Sequence, residues 1–265
     1  MTHSDDDLIL LRLSTGEAGP VLVADFQAMT MAPRLSEMLS ESVQGQSVFQ
    51  IDPVRVLSGE CLYSPLPKLA AACADEFLNS GADDGRAFVV GHCSAAPLAL
   101  RVAGLLASTR PVNAVLLNPS WPDDDHVATK FAEFLAKFGT AVVPCPDLDA
   151  DPCLVVSAME QVFRDEMTAL AASRGLTDSI GAFSDLLVWY RAWLAFLLAG
   201  RNDASIDRAA GRATVTVLSD SPSTVTVPGL SRAEYRIYEL PPQPVGTVSR
   251  ELAEIVAPHV ALHQA

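Results

Sequence analysis

The stretch from Arg86 to Ala107 constrains the fold more than any other part of the chain. Ala87 to Val90 is a short apolar run, and beyond Ser94 the residues Leu98, Val102, Leu105 and Leu106 recur at helical spacing. A change of period within so few residues predicts a strand that turns sharply into a helix. At the turn stands Gly91-His92-Cys93-Ser94-Ala95, where small residues allow strand and helix to pack closely. Pro97 suits the first turn of that helix, whose N–H groups lack intrahelical partners. The remaining donors and the positive end of the helix dipole favour negative charge at Cys93.

The rest of the chain alternates in a way that fits this unit. Leu8 to Leu13 and Val21 to Val23 read as strands joined through a turn-forming segment, followed by a helix carrying Leu35, Met38 and Leu39 and by the strand Ser47 to Ile51. Pro53 to Pro67 reads as a loop, Leu69 to Leu78 as an alanine-rich helix, and Val112 to Leu117 as a buried strand stopped by Asn118-Pro119. From Ser120 to about Arg212 the alternation gives way to helices at Val127 to Phe138, Cys153 to Ala172 and Ser184 to Ala199. Strands resume at Thr214 to Leu218 and Tyr235 to Leu240, and a helix from Ser249 to Ala257 closes the pattern. Alternating strands and helices imply a largely parallel sheet with right-handed crossovers. The expected architecture is an α/β core of residues 1–119 and 213–265 with a helical lid inserted at 120–212.

Composition narrows the partners. A formal net charge of -14 argues against nucleic acid or an anionic membrane surface, because the phosphate contribution would be repulsive. Five cysteines without CxxC pairs give no metal-site signal, and the first residues lack the basic and apolar regions of a signal peptide, which points to a cytoplasmic protein. The most apolar window, Leu186 to Ala199, is short for a membrane span and carries Arg191.

This order of elements resembles the α/β-hydrolase fold, and within it the thioesterases of nonribosomal peptide and polyketide assembly lines. The resemblance is carried by the opening Leu10-Leu11-Arg12-Leu13 and Gly19-Pro20-Val21-Leu22-Val23, by Val115-Leu116-Leu117-Asn118-Pro119, by the helical stretch, and by Tyr238-Glu239-Leu240-Pro241 with the segment Glu251 to His259. Its specific motif is Gly91 to Ala95, which has the layout G-x-S-x-G with Cys93 in place of the serine and Ala95 in place of the second glycine. The resemblance implies that Cys93 is a nucleophile and that the backbone N–H groups of Phe26 and Ser94 stabilise an oxyanion. The family's His-Pro-Ala-Gly-Gly is replaced here by Ala24-Asp25-Phe26-Gln27-Ala28, and the Asp25 carboxylate would oppose that charge unless it turns away. The acid of a triad falls at Asn118 or Asp220, the second being favoured. The histidine's place, Leu240 to Gly246, contains none, which leaves His126 as the candidate base, its pKa raised by Asp123, Asp124 and Asp125.

A thiol is less dependent on a base than a hydroxyl, and exchange with a thioester keeps the acyl group activated. The resemblance therefore implies acyl transfer or hydrolysis on a substrate carried by the phosphopantetheine of an acyl or peptidyl carrier protein, with no resident cofactor or metal. Two other readings stay open: a noncatalytic binding or scaffold protein that has lost the histidine, and a plain ester or lactone hydrolase. If the helix terminus activates the thiol, iodoacetamide at neutral pH labels Cys93 faster than Cys61, Cys73, Cys145 or Cys153; slowest labelling at Cys93 would remove the covalent reading.

Overall fold

In the computed structural model, which describes residues 9–25, 33–58, 62–82, 85–139, 143–175, 184–241 and 250–261, the apolar run before Cys93 becomes the central strand of a seven-stranded sheet. In chain order the strands are β1 (Leu10–Ser14), β2 (Ala18–Ala24), β3 (Gln46–Ile51), β4 (Ala87–His92), β5 (Val112–Leu117), β6 (Thr214–Ser219) and β7 (Tyr235–Glu239). They lie in the order β1-β3-β2-β4-β5-β6-β7. Only the edge strand β1 runs antiparallel to its neighbour; the other pairings are parallel. Strands β4 and β5 read as nearly unbroken apolar runs because inner parallel strands are covered on both faces.

The chain divides into two compact units, Met1–Asp52, Pro67–Trp121 and Ala204–Ala265 forming the first, and Pro53–Leu66 and Pro122–Asp203 the second. In the first unit, helices α1 (Leu35–Ser42) and α8 (Arg250–Ala261) cover one face of the sheet. Leu35, Met38 and Leu39 of α1 and Leu252, Val256 and Val260 of α8 share a core with Val21, Val23, Val48, Phe88, Val90, Val115 and Leu117. The alternate residues face the other way. There Phe49 meets Phe77 of α3 (Leu66–Asn79) edge-on at 5.5 Å, and Gly91 meets α4 (Ala96–Leu106). The expected α/β-hydrolase arrangement, a mainly parallel sheet with helices on both faces, is observed.

Helix α8 runs through Pro258 to Ala261, past the expected stop at Ala257. Proline inside a helix costs about 3 kcal/mol. Burial of Val256 and Val260, at about 1.5–3 kcal/mol each, offsets this, and the Gln46 amide donates to the carbonyls of Gly19 (2.9 Å) and Val260 (3.3 Å). The segment expected to be a loop from Pro53 to Pro67 instead opens with helix α2 (Pro53–Ser58). Pro53 occupies the first helical position, where its missing N–H is harmless, and Val54 and Leu57 are buried.

The second unit packs α2 with α5 (Asp124–Ala136), α6 (Pro152–Ser173) and α7 (Ser184–Arg201). Its centre is aromatic: Phe134 stacks on Tyr190 at 4.3 Å, Phe131 meets Phe163 at 5.2 Å, and Trp189 stacks on Trp193 at 5.9 Å. Arg191, buried in α7, donates to the carbonyls of Leu57 and Ser58 and pairs with Glu160 of α6. Arg201 at the end of α7 bonds Asp124 and Asp149, each at 2.6 Å. No described helix is long and apolar enough to cross a membrane.

Gly104 in the middle of α4 sets how closely that helix lies on the chain after α7, since a Cβ there would stand 1.9 Å from the Ala209 carbonyl oxygen. Alanine's better helix propensity is worth about 1 kcal/mol, but overpacking against backbone costs about 1–3 kcal/mol or more. Gly104→Ala should therefore lower stability by about 2 kcal/mol in urea unfolding, whereas a gain in stability would mean that Ala209 yields freely.

Candidate active site

Strand β4 ends in a single 3-10 turn, Cys93–Ala95, that leads directly into α4. Gly91 makes this possible. A Cβ on it would stand 2.5 Å from the Ala99 Cβ and 3.0 Å from the Ala96 Cα, so any larger residue would push helix and strand apart. The turn is achieved by placing Cys93 in the left-handed region at φ 51°, a conformation that costs a non-glycine residue about 1–2 kcal/mol. The thiol is exposed, and Ser94 and Ala95 are buried behind it. Its sulfur lies 3.9 Å from the Ser94 hydroxyl, and the Cys93 carbonyl accepts the Ser120 N–H at 3.2 Å, which ties the loop after β5 to the elbow.

The two candidate acid positions are joined to each other at the same edge of the sheet. His92 pairs with Leu117, and Leu117 with Leu218, so Cys93, Asn118 and Ser219 follow in one row at the C-terminal ends of β4, β5 and β6. With about 4.8 Å between strands, Cys93 and Asn118 are next-strand neighbours. Asn118 is the other described non-glycine residue at positive φ, 40°. Its backbone N–H donates to the Leu218 carbonyl at 2.8 Å, and its side-chain oxygen accepts the Asp220 N–H at 2.9 Å. The amide thus holds the turn after β6, and Asp220 is exposed beside it.

The histidine adjacent to the thiol in sequence carries no charge. Burial lowers the pKa of His92 to about 4, so its imidazole is neutral at pH 7. His259 lies in α8, its ring 4.9 Å from that of Tyr238. His126 belongs to the second unit, in the first turn of α5, where its N–H donates to the Asp123 carboxylate at 2.8 Å as in an ordinary N-cap. The expected rise in its pKa is not observed: partial burial, with Lys130 assisting, lowers it against the opposing Asp123 and Glu133. Phe26, the second oxyanion candidate, lies outside the described residues, as does the stretch 242–249 in which the family's histidine would stand.

Asp25, one residue beyond β2, is bound at the start of α1. Its Oδ2 accepts the Ser36 N–H at 3.0 Å, at the N-terminus of α1, while Oδ1 is buried without a hydrogen-bond partner among the described residues. Burial raises its pKa to about 7; the Ser36 N–H and Arg34 pull the other way but do not prevail. Sequence gives no sign of this pairing, because no local motif links a strand end to a helix start eleven residues later.

Comparison with known proteins supports the fold. The family model described as "Alpha/beta hydrolase family" matches residues 57–234. No curated protein matches the chain in sequence. Among solved structures, the Vlm2 thioesterase domain bound with a dodecadepsipeptide superposes with a TM-score of 0.56 at 17% identity, covering 95% of this chain and 98% of that one. The NocB thioesterase domain from the nocardicin cluster gives 0.53 at 14%, covering 96% and 98%. A four-domain nonribosomal peptide synthetase, AB3403, gives 0.62 at 13%, covering 97% of this chain and 20% of the synthetase. At these identities the likeness is one of fold.

The buried Asp25 carboxyl makes stability depend on pH in a defined direction. Its folded pKa exceeds the ordinary aspartate value of 3.8, so the folded state binds the proton more tightly, and the cost of ionising it is absent below about pH 4. As pH rises to 7 and above, this site should remove up to about 4 kcal/mol of stability. Denaturant unfolding from pH 4 to 8 should show a decline in the wild type that is largely missing in Asp25→Asn; parallel curves would mean that Asp25 does not titrate there.

Proposed function

The chain belongs to the alpha/beta hydrolase family, and on that premise we propose that it is a thioesterase-like protein of natural-product biosynthesis that accepts acyl groups on Cys93. The acyl donor in this reading is a thioester on the phosphopantetheine arm of an acyl or peptidyl carrier protein. The observation that carries it is the exposed Cys93 thiol held at positive φ between a central parallel strand and a helix N-terminus. Strain of this kind persists only where surrounding structure enforces it, and here Gly91, the α4 packing and the Ser120 hydrogen bond enforce it. The thioesterase domains of similar fold agree with the reading.

The chemistry suits a site whose described residues set no imidazole against the sulfur within its own unit. The Cys93 sulfur bonds to the acyl carbon, the N–H of Ser94 faces the developing oxyanion, the carbon–sulfur bond to the carrier breaks, and the departing thiolate takes the proton that Cys93 gave up. One thioester replaces another at nearly equal energy. The acyl group then passes to water or, keeping its activation, to an amine or thiol. Asn118 acts here as a positioning residue that fixes the row of strand ends, and Asp220, exposed beside it, is the acid of the second half-reaction.

Incubation with an acyl-pantetheine thioester, read by intact-protein mass, should add one acyl group to the wild type and none to Cys93→Ala. An adduct that survives in Cys93→Ala, or no adduct with any of several acyl chains, would overturn the covalent mechanism and favour a noncatalytic binding protein with the same fold.

A further inference from the structure

The second unit contains a cavity of its own. Between the end of α5, the C-terminal half of α6 and the start of α7 lies a space of about 250 Å³ whose walls are apolar, with Phe138, Met167, Leu170 and Tyr190 facing it. Two cations, Lys137 and Arg174, line the same space. In a chain with 18 basic and 32 acidic residues, a basic side chain has many carboxylates to choose from. Lys137 and Arg174 nevertheless make no ion pair among the described residues, and the Lys137 ammonium instead lies over the rings of Phe134 (5.2 Å) and Tyr190 (5.3 Å). Strong overall negative charge repels anions. Two cations without an ion-pair partner among the described residues, set beside an apolar space, are the local arrangement that would reverse this.

We infer that this cavity binds a medium-chain aliphatic carboxylate, its tail against Phe138, Met167, Leu170 and Tyr190 and its carboxylate against Lys137 and Arg174. The volume sets the length: at the roughly 30 Å³ that a water occupies in the liquid, 250 Å³ encloses about eight non-hydrogen atoms. A chain of about eight carbons fills it and leaves the charged end at the cations, where hydrogen bonds to an ionised acceptor are the strong ones. The site lies within the second unit and does not depend on the acyl transfer proposed for Cys93. Lys137 and Arg174 also sit at the C-caps of α5 and α6, where a cation complements the helix dipole. If that were their whole role, removing them would change stability and leave ligand affinity untouched.

Octanoate titrated into the full chain decides between these. Calorimetry, together with the fluorescence of Trp189, whose ring lies 5.7 Å from that of Tyr190, should show saturable binding, with octanol and octylamine at least about tenfold weaker. The double variant Lys137→Gln, Arg174→Gln should bring octanoate down to the affinity of octanol. Ala171→Trp should fill the cavity and abolish both, with Leu170→Trp as the alternative if the first variant fails to fold. Equal affinities for octanoate and octanol, unchanged affinity in the double variant, or no saturable binding at millimolar octanoate would each overturn the inference. Acylation of Cys93 by the pantetheine thioester should be unaffected by the double variant, so a failure here and a failure of the covalent mechanism are read separately.

Discussion

The close crossing of β4 and α4 is the constraint on which the first unit depends. A parallel strand buried on both faces has to hand the chain to a helix that lies against it, and at Gly91 the two backbones leave no room even for a methyl group. That contact forces the reversal to occur within Cys93–Ala95, which drives Cys93 to positive φ and leaves its side chain as the one that projects. The exposed thiol is therefore a product of packing two residues away. Asn118 repeats the pattern one strand over: it too is at positive φ, and its amide ties the ends of β5 and β6 together.

Charge at this edge is arranged more sparingly than a triad would suggest. Asn118 contributes dipoles and no net charge, and His92 is neutral because ionising it would strand a cation in apolar surroundings. Asp25 is drawn to the start of α1, where the N–H of Ser36 supplies what water would have given it. The hydrogen bonds from Ser36 and a nearby arginine do not compensate fully for burial, which is why the carboxyl holds its proton to unusually high pH.

Local patterns in the sequence carry the strands and most helices. The apolar runs of β4 and β5, the helical spacing behind Ser94 and the G-x-C-x-A turn are legible because period and residue size act over a few neighbours. The hidden features are set by distant partners. Helix α2 is too short to show a period, and its place is secured by Arg191, 133 residues away from Ser58. Proline normally marks a helix end, but at Pro258 the burial of Val260 and the reach of Gln46 override it. The site follows the same division. Cys93 is readable from its own pentapeptide, while the Asn118–Asp220 hydrogen bond needs two strand ends 102 residues apart, and the direction of the His126 shift rests on burial that flanking aspartates conceal.

The Arg191 clamp on α2 has a consequence for how the chain is made. Because residues 53–66 belong to the second unit, the polypeptide passes between units four times, at 52/53, 66/67, 121/122 and 203/204. Neither unit is a continuous piece of chain, so neither can be cut out by choosing two ends. During synthesis α2 emerges from the ribosome long before the arginine that will bind the carbonyls of Leu57 and Ser58. Those groups stay hydrated until α7 arrives. By then β1 to β5 and the Cys93 turn have already been translated, so the first unit can begin to assemble while the second still waits for its last helix.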